Sequence, residues 1–155
     1  MDESEAHLDR IARQIANHTA LYMKDPEKAH IWDSTVIGIP GPIKTLLLHT
    51  RGRVSGKDHV VGLQYYLLDQ HYVVVASKAG AAEHPHWYRN LVENPECHIQ
   101  AGSFGSTAEA RTAEGDERQR LWRAVSTEQP EYVIYQARTD REIPVVVFEL
   151  VDGEG

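Results

Sequence analysis

The sequence is short of cysteine, of long apolar runs and of positive charge, and each shortage excludes a class of protein. Cys97 is the one cysteine in 155 residues, so no disulfide can form within the chain, which fits a reducing, cytoplasmic location. The longest clean apolar runs, such as 73–76 and 145–148, fall far below the roughly 18 residues that a membrane-spanning helix needs. Acidic residues outnumber basic ones by 23 to 16, for a formal net charge of −7. We therefore expect no nucleic-acid partner, because general nucleic-acid binders neutralise phosphates.

The sequence also lacks the features of secreted, disordered and repetitive proteins. Residues 1–5 are acidic where a secretory signal is basic, so we expect no signal peptide. Hydrophobic residues make up 41% of the chain and charged residues 25%, a balance that excludes disorder as the main state. Without a repeat or a low-complexity tract, the length predicts one domain over residues 1–155. Within it we expect an N-terminal helical segment over 1–35 and a core over 36–151.

Apolar residues at helical spacing predict an amphipathic N-terminal helix. The apolar positions are Leu8, Ile11, Ala12 and Ile15. Acidic residues lie in or near the first turn, where the helix dipole favours them: Asp2, Glu3 and Glu5. Shorter helices are expected over 85–93, over 114–127 and after Pro130.

After the loop at 36–42, the spacing of apolar residues changes from that of helices to that of strands. Six strands are expected, at 45–50, 59–68, 72–77, 97–101, 107–112 and 145–151. The second and third are separated by three residues, too few for anything but a hairpin, and the fourth and fifth flank a turn at 102–105. Most connections are too short for parallel crossovers. The predicted fold class is therefore α+β, with a mainly antiparallel sheet that closes or half closes into a barrel.

A basic loop separates the first two predicted strands. It consists of Arg51, Gly52, Arg53, Val54, Ser55, Gly56 and Lys57. The glycines let the backbone curl and expose N–H groups, and the cations add charge, so the loop suits a phosphate or carboxylate group. It is not a Walker loop, because Asp58 and a predicted strand follow Lys57. A charged, solvent-exposed turn is the alternative interpretation.

A small-residue turn follows the third predicted strand. It consists of Ser77, Lys78, Ala79, Gly80 and Ala81. Direct proton transfer between Ser77 and Lys78 is disfavoured, because adjacent residues on a strand point to opposite faces. The turn better suits a backbone that lies against a flat ligand, with Lys78 supplying charge. The alternative is a plain strand-to-helix turn.

Histidines around Pro85 do not predict a metal site. His84 and His86 have no cysteine, aspartate or third histidine at a recognisable ligand spacing, so we expect no metal. A surface turn is the simpler interpretation.

Two tyrosines share one face of the last predicted helix. Tyr132 and Tyr135 are three positions apart, the spacing of neighbours on a helix. Their hydroxyls could donate a hydrogen bond or a proton to an oxygen in a pocket, or the two rings could simply pack in the core. Beyond them, Asp140 and Arg141 are interpreted as a charge pair at the helix end.

Four segments together resemble the deazaflavin (F420)-dependent nitroreductase family, which includes F420H2-dependent quinone reductases. In order and near family spacing, they are TRGRVSGK at 50–57, ASKAGA at 76–81, PHWYRNLVENP at 85–95 and YVIYQARTDREIPVVV at 132–147. The resemblance covers about residues 36–151. It implies a split β-barrel and coenzyme F420, an 8-hydroxy-5-deazaflavin that carries a phosphate and a polyglutamate tail. It also implies two-electron reduction of quinones, activated alkenes or nitro compounds, mainly in actinobacteria.

The same resemblance implies the functional residues. The cofactor-binding set is Arg51, Arg53, Ser55, Gly56, Lys57, Ala76, Ser77, Lys78, Ala79, Gly80, Ala81, Pro85, Trp87, Tyr88 and Asn90. Within this set, the cations would bind the tail and the small-residue turn would form a wall for the ring. The catalytic set, on the substrate side, is Tyr65, Ser77, Tyr132 and Tyr135. The helix of 1–35, together with Trp32, would form a lid. Gln129 stands where some nitro-reducing members have an aromatic residue.

The resulting prediction is a cytoplasmic enzyme that transfers a hydride from reduced F420 to a small electron-poor acceptor. Two alternatives remain open at this point: a split-barrel oxidoreductase that uses flavin mononucleotide, and a non-catalytic F420-binding or storage protein. The predicted state is a monomer or a weak homodimer without an integral membrane segment.

Overall fold

The computed structural model describes residues 3–151, without the side chains of Glu3, Ser4 and Leu8. The predicted helix-start position of Asp2 and the ends of the predicted domain, 1–2 and 152–155, lie outside the described residues. The helices of the described part are α1 (Glu3–Lys24), α2 (Pro26–His30), α3 (His86–Glu93), α4 (Gly115–Glu128) and α5 (Glu131–Ala137). Its strands are β1 (Ile31–Trp32), β2 (Ile43–Arg51), β3 (Asp58–Gln64), β4 (Tyr66–Leu68), β5 (His71–Val75), β6 (Glu96–Ala101), β7 (Phe104–Thr112) and β8 (Val145–Leu150). Short 3-10 helices cover Ser34–Ile37 and Lys78–Gly80.

The predicted α+β class is confirmed, and residues 3–151 form eight strands in place of the expected six. The strand predicted over 59–68 is interrupted at Tyr65, whose N–H donates to the carbonyl of Lys44 at 3.0 Å, and so becomes β3 and β4. The two-residue strand β1 and the short helix α2 are additions. The signal for α2 is Asp25, whose carboxylate accepts from the N–H of Lys28 at 3.2 Å, with Pro26 in the first turn.

The interruption at Tyr65 lets the sheet curl into a split barrel. The strand order is β1-β2-β6-β7-β8-β5-β4, β3 pairs with β2, and every pair is antiparallel. β3 therefore borders one side of the sheet and β4 the other, although the two strands are consecutive in the chain. Their common segment brings the two sides of the sheet together.

Each face of the sheet has its own hydrophobic core. Leu46 and Leu48 of β2 point to the inner face, where they pack with Val74, Ile99 and Phe148. The opposite face is covered in two places. Helices α4 and α5 cover one part through a cluster made of Tyr66, Val73, Ala113, Leu121, Val125, Tyr132, Val145 and Val147. Helices α1 and α2 cover the other through Tyr22, Ala29 and Leu47.

Helix α1 is attached to the sheet by buried polar contacts. The His18 ring stacks on Trp32 at 4.4 Å between centroids, and its Nε2 lies 3.0 Å from the carbonyl oxygen of Ala29. The Tyr22 hydroxyl donates to the carbonyl of Thr45 at 2.7 Å. A Cβ at Gly62 of β3 would lie 2.7 Å from His18 Nδ1, so glycine is what allows the close approach. The segment predicted as a lid thus packs on the outer face of β2 and β3.

None of the helices between residues 3 and 151 combines the length and the apolar character needed to cross a membrane.

Candidate functional site

The basic loop (51–57) is closed on itself and attached to α3. Within the loop, the N–H of Gly52 donates to the carbonyl of Lys57 at 2.8 Å, and that of Gly56 to the carbonyl of Gly52 at 2.9 Å. Arg53 reaches across to α3: its Nη1 donates to Asn90 Oδ1 at 2.7 Å, and its Nη2 lies 3.2 Å from His86 Nδ1. The loop is therefore a defined structure that depends on α3.

Asn90 is the buried centre of this attachment. It is 2% exposed. Its Oδ1 also accepts from the N–H of Arg53 at 3.2 Å, and its Nδ2 donates to Thr50 Oγ1 at 3.1 Å. One amide thus joins the end of β2, the basic loop and α3. Sequence reasoning placed Asn90 among the cofactor-binding residues, and the structure shows it supporting a loop of that set.

The remaining cations of the loop face solvent. Arg51 and Lys57 are exposed, as are Ser55 and Gly56 between them. Since Arg53 is bonded to Asn90 and His86, Arg51 and Lys57 are the loop cations that can meet an anionic ligand directly.

The small-residue turn (77–81) has an unusual backbone. Ser77 is right-handed, whereas Lys78 (φ 44°), Ala79 (φ 53°) and Gly80 (φ 79°) have positive φ. Successive N–H groups in such a right-then-left arrangement turn toward one side. Within residues 3–151, the N–H groups of Ser77, Lys78 and Ala79 have no acceptor. The turn therefore offers free donors to a polar ligand.

Arg141 braces this turn, which corrects its interpretation as one half of a helix-end charge pair. Its Nη2 donates to the carbonyl of Ser77 at 2.7 Å, its Nη1 to that of Ala76 at 3.2 Å, and its Nε to that of Ala81 at 2.8 Å. Nη1 also lies 3.0 Å from His84 Nδ1. Burial, and next the charge of Arg141, lower the pKa of His84, which keeps its ring neutral and able to accept this bond.

Residues 84–90 connect the two cofactor-binding segments predicted from the sequence. His84 meets Arg141 beside the small-residue turn, whereas His86 and Asn90 meet Arg53 in the basic loop. The structure thus links the loop, the turn and α3 through direct contacts. The contacts of His84 and His86 with Arg141 and Arg53 were not predicted from the sequence, because the two histidines were considered only as metal ligands.

Pro85, Trp87 and Tyr88 also belong to this region. Pro85 is buried at the start of α3, and Trp87 packs half-buried against the inner core. Tyr88 lies 4.9 Å from the His84 ring, and its hydroxyl is 2.8 Å from Thr112 Oγ1. Trp87, predicted as a cofactor-binding residue, therefore anchors α3 to the inner core.

Helix α5 lies directly against the small-residue turn. A Cβ at Gly80 would be 2.5 Å from the carbonyl oxygen of Tyr135, so only glycine fits there. The Tyr135 ring is half-buried beside the guanidinium of Arg138, 5.6 Å away. Its hydroxyl has no hydrogen-bond partner within residues 3–151. Tyr135 is therefore a candidate donor next to the turn.

The other two tyrosines of the predicted catalytic set are buried, and their hydroxyls have hydrogen-bond partners. Tyr132 is 6% exposed, and its hydroxyl accepts from that of Tyr66 at 3.1 Å. Tyr65 is on the inner face of the sheet, where its hydroxyl lies 2.7 Å from His30 Nε2 and burial raises its pKa to about 12. Tyr66, not Tyr65, thus contacts Tyr132 of α5. Strand alternation could have shown this, because adjacent residues face opposite ways.

A shallow pocket of about 310 Å³ lies beside Tyr66. It is lined by Pro40, Gly41, Pro42, Ile43, Gln64, Tyr66, Glu128, Gln129, Pro130 and Glu131. Gln129, at the position where some family members have an aromatic residue, is therefore part of a pocket wall. Among residues 3–151, no cluster of three or more histidine, cysteine, aspartate or glutamate side chains could hold a metal ion.

Comparison with known proteins identifies the family of this chain. The family model of F420H(2)-dependent quinone reductases matches residues 34–150. An F420H(2)-dependent quinone reductase of Mycobacterium tuberculosis is 40% identical over 112 residues, which are 70% of this chain and 75% of that protein.

Solved structures give the same result. An F420-H2 dependent reductase, FDR-A, is 39% identical with a TM-score of 0.62, over 68% of this chain and 93% of that chain. A structure described as a domain-swapped dimer is also 39% identical with a TM-score of 0.62, over 68% of this chain and 79% of that chain.

The fold and these comparisons thus define an oxidoreductase of the split-barrel, deazaflavin-dependent class. The chain belongs to the F420H2-dependent quinone reductase family. The cofactor and the enzyme class predicted from the sequence are both confirmed, and the cofactor is coenzyme F420.

Proposed function

We propose that this protein uses F420H2 to reduce a small electron-poor acceptor: a quinone, an activated alkene or a nitro compound. The proposal rests on the linkage of a cationic loop to a turn with free N–H groups. Arg53 bonds the loop to residues 84–90, and Arg141 bonds the turn to the same segment. An elongated cofactor with an anionic tail and a flat polar ring needs both kinds of surface at one place.

The basic loop would bind the tail. Arg51 and Lys57 are exposed and would meet the phosphate and the glutamate carboxylates through charge-assisted hydrogen bonds. Arg53 would not bond the tail itself, because its guanidinium is already bonded to α3, but its positive charge would still attract the tail. Lys78, exposed on the small-residue turn, would add a fourth cation.

The small-residue turn would bind the ring. Ala79, Gly80 and Ala81 offer little side-chain bulk, and the free N–H groups of Ser77, Lys78 and Ala79 can donate to polar atoms at the ring's edge. The residues present fit the cofactor: cations for its anionic end and small, donor-rich backbone for its flat end.

The protein's part in the chemistry is to orient the acceptor and to polarise it. The bound cofactor supplies a hydride. Negative charge then develops on an acceptor oxygen, and a neutral phenol can donate to it. Tyr135 is the proposed donor, because its hydroxyl is unpaired and burial raises its pKa, so that it stays protonated. The Ser77 hydroxyl, at the start of the turn, is the proposed second donor, and Tyr132 supports the Tyr135 ring at 6.3 Å between ring centroids. The Tyr65 hydroxyl already lies 2.7 Å from His30 Nε2, so we assign it no donor role toward the acceptor.

The test of function is a turnover assay with a quinone, an enone and a nitroaromatic compound, read from the oxidation of F420H2. Reduction of at least one class is expected. No turnover with any acceptor, together with tight F420 binding, would instead indicate a non-catalytic binding or storage protein. Calorimetry with F420 and flavin mononucleotide should show tighter binding of F420, and equal or reversed affinities would contradict the proposal.

The test of the tail site is Lys57→Glu. Each hydrogen bond to a charged group contributes about 1.5–3 kcal/mol, so full-length F420 should bind roughly ten- to a hundredfold more weakly. A ring ligand without phosphate and glutamates should bind as before. Lys28→Glu, an equal charge reversal on exposed α2, should change neither affinity. If Lys57→Glu weakened both ligands alike, the loop would not be the tail site.

We also propose a cytoplasmic location and a monomer or a weak homodimer. Cys97 supports the first part, because a single cysteine leaves the chain without an internal disulfide, as is usual in a reducing compartment. Sedimentation equilibrium over a wide range of protein concentration would measure the oligomeric state.

A further inference from the structure

The small-residue turn holds two residues other than glycine in a conformation that they rarely adopt. Lys78 and Ala79 have φ angles of 44° and 53°, in the left-handed region that disfavours side chains with a Cβ. Such backbone persists only where its surroundings impose it. The turn's internal bonds, from the N–H of Gly80 to the carbonyl of Ser77 and from that of Ala81 to the carbonyl of Lys78, involve only the turn itself. The contacts that impose its shape must come from outside.

The guanidinium of Arg141 supplies most of the side-chain hydrogen bonds that reach the turn and the preceding Ala76 from outside. Its donors reach the carbonyls of Ala76 and Ser77 on one side of the turn and that of Ala81 on the other, at 2.7–3.2 Å. One planar guanidinium therefore bonds both the start and the end of the turn. Arg138 adds a longer bond of 3.4 Å to the carbonyl of Ala79.

Arg141 is itself held in place by α5. Its carbonyl accepts from Gln136 Nε2 at 2.7 Å, and the Oε1 of the same glutamine accepts from the N–H of Ile143 at 2.9 Å. A guanidinium has five N–H donors in a fixed fork, whereas a lysine ammonium is a point charge on a flexible chain. Lysine at this position would keep the charge but could not reach all three carbonyls.

We propose that Arg141 is the positioning residue for the ring of the cofactor. It keeps the turn in the shape that exposes the N–H groups of Ser77, Lys78 and Ala79, without touching the cofactor itself. This inference rests on the proposed function, in which the turn is the ring's wall. Binding of the ring then depends on Arg141, whereas binding of the tail depends on the basic loop.

The first measurement needs no cofactor. Amide hydrogen exchange of a peptide covering 76–82 reports on the two internal bonds of the turn, those of Gly80 and Ala81. Arg141→Lys should speed their exchange about tenfold, because the bonded shape becomes a minor population. Arg123→Ala removes an exposed arginine of α4 and should leave exchange in this peptide unchanged. Guanidinium at a non-denaturing concentration should slow the exchange of Arg141→Ala again, which keeps the test decisive if the lysine variant is unstable.

The second measurement is cofactor affinity, with full-length F420 and with the ring ligand that lacks the tail. Arg141→Lys should weaken both by the same factor, about tenfold, whereas Lys57→Glu weakens only the full-length form. Unchanged exchange, or a loss confined to full-length F420, would overturn this inference while the proposed function stands. If wild-type protein bound neither ligand, the proposed function would fail and the inference with it.

Discussion

At the scale of single residues, the two tyrosines of α5 differ in what surrounds their hydroxyls. That of Tyr132 is buried and bonded to Tyr66, whereas that of Tyr135 is unpaired within residues 3–151 and lies on the helix segment that contacts Gly80. Tyr132 and Tyr135 look equivalent in the sequence, but their surroundings give them different roles. Tyr135 is available to an acceptor, and Tyr132 is part of the outer core.

Phenylalanine substitutions separate these roles. Tyr135→Phe should slow turnover about tenfold, a rise of roughly 1.4 kcal/mol in the barrier, because the lost bond forms mainly in the transition state. F420 affinity should not change. Tyr132→Phe should keep near wild-type turnover but lower the free energy of unfolding by about 1 kcal/mol, the net value of one hydrogen bond. Steady-state kinetics and urea titrations measure the two effects. Wild-type turnover of both variants with every acceptor would mean that solvent delivers the proton.

Asn90 is the residue whose loss should disturb the loop most. Asn90→Ala leaves the N–H of Arg53 and the hydroxyl of Thr50 without their partners. The free energy of unfolding should fall by about 2–3 kcal/mol, since unpaired buried polar groups are costly. Urea denaturation checks this, with Asn94→Ala at the end of α3 as the matched control, expected within about 0.5 kcal/mol of wild type. A similar effect of both variants would place the stabilisation in the helix and not in the loop contact.

At the scale of elements, the sequence predicted what depends on local pattern. Helices α1, α3, α4 and α5 and most strands carry their own periodicity, and the hairpin between β4 and β5 follows from its short loop. The break at Tyr65 was not predictable, because apolar residues continue through it and only pairing with two different strands reveals it. β1 is too short for any pattern to be detected.

In the site, too, features set by local sequence were predictable and those set by distant contacts were not. The basic loop and the small-residue turn were visible as unusual local composition. Arg141 was not, since its bonds to the turn and to His84 span 57–65 positions in sequence. No local pattern distinguishes an arginine that braces a distant backbone from one that ends a helix.

The attachment of α1 should depend on pH through His18. Burial is the main cause that lowers the pKa of His18 from its ordinary 6.5. The unfolded chain therefore binds a proton first, and the stability that neutral His18 contributes is present above pH 6.5 and declines as the pH falls below it. His18→Gln should accordingly lose less stability than wild type between pH 7.5 and 5.5.

Urea titrations at the two pH values measure this difference. His7→Gln, which changes an exposed histidine of the same helix, should follow wild type. The contributions of other histidines cancel in the comparison. Parallel losses in wild type and His18→Gln would show that His18 does not control the attachment.

At the scale of the whole molecule, a charge network joins β5, β7, β8 and α4. Arg111 bonds Glu117 at 2.6 Å and Glu149 at 2.7 Å, and His71 lies 3.1 Å from Glu149. The hydrogen bonds from Arg111 are the main cause that lowers the pKa of both carboxyl groups. Their stabilising effect is complete above the ordinary pKa of about 4.5 and is lost as the pH falls through the lowered values.

Arg111→Gln should therefore flatten the loss of stability between pH 5 and pH 3. The effect at neutral pH should be about 1 kcal/mol or less, because the pairs are partly exposed. Thermal unfolding across this pH range measures it, with Arg123→Gln as control, and 1 M salt should reduce the difference. A wild-type pH profile for Arg111→Gln would mean that the network adds nothing to acid stability.

The position of β8 in the sheet has a consequence for synthesis on the ribosome. β8 is the most C-terminal strand of the described residues, yet it lies between β7 and β5. Before it emerges, β2, β3, β6 and β7 can pair with one another, but β4 and β5 have no partner beyond their own hairpin. Arg141 emerges only shortly before β8. A nascent chain therefore cannot complete either its sheet or its small-residue turn step by step, and a bound cofactor cannot assist folding until translation has passed the strand that joins the two parts.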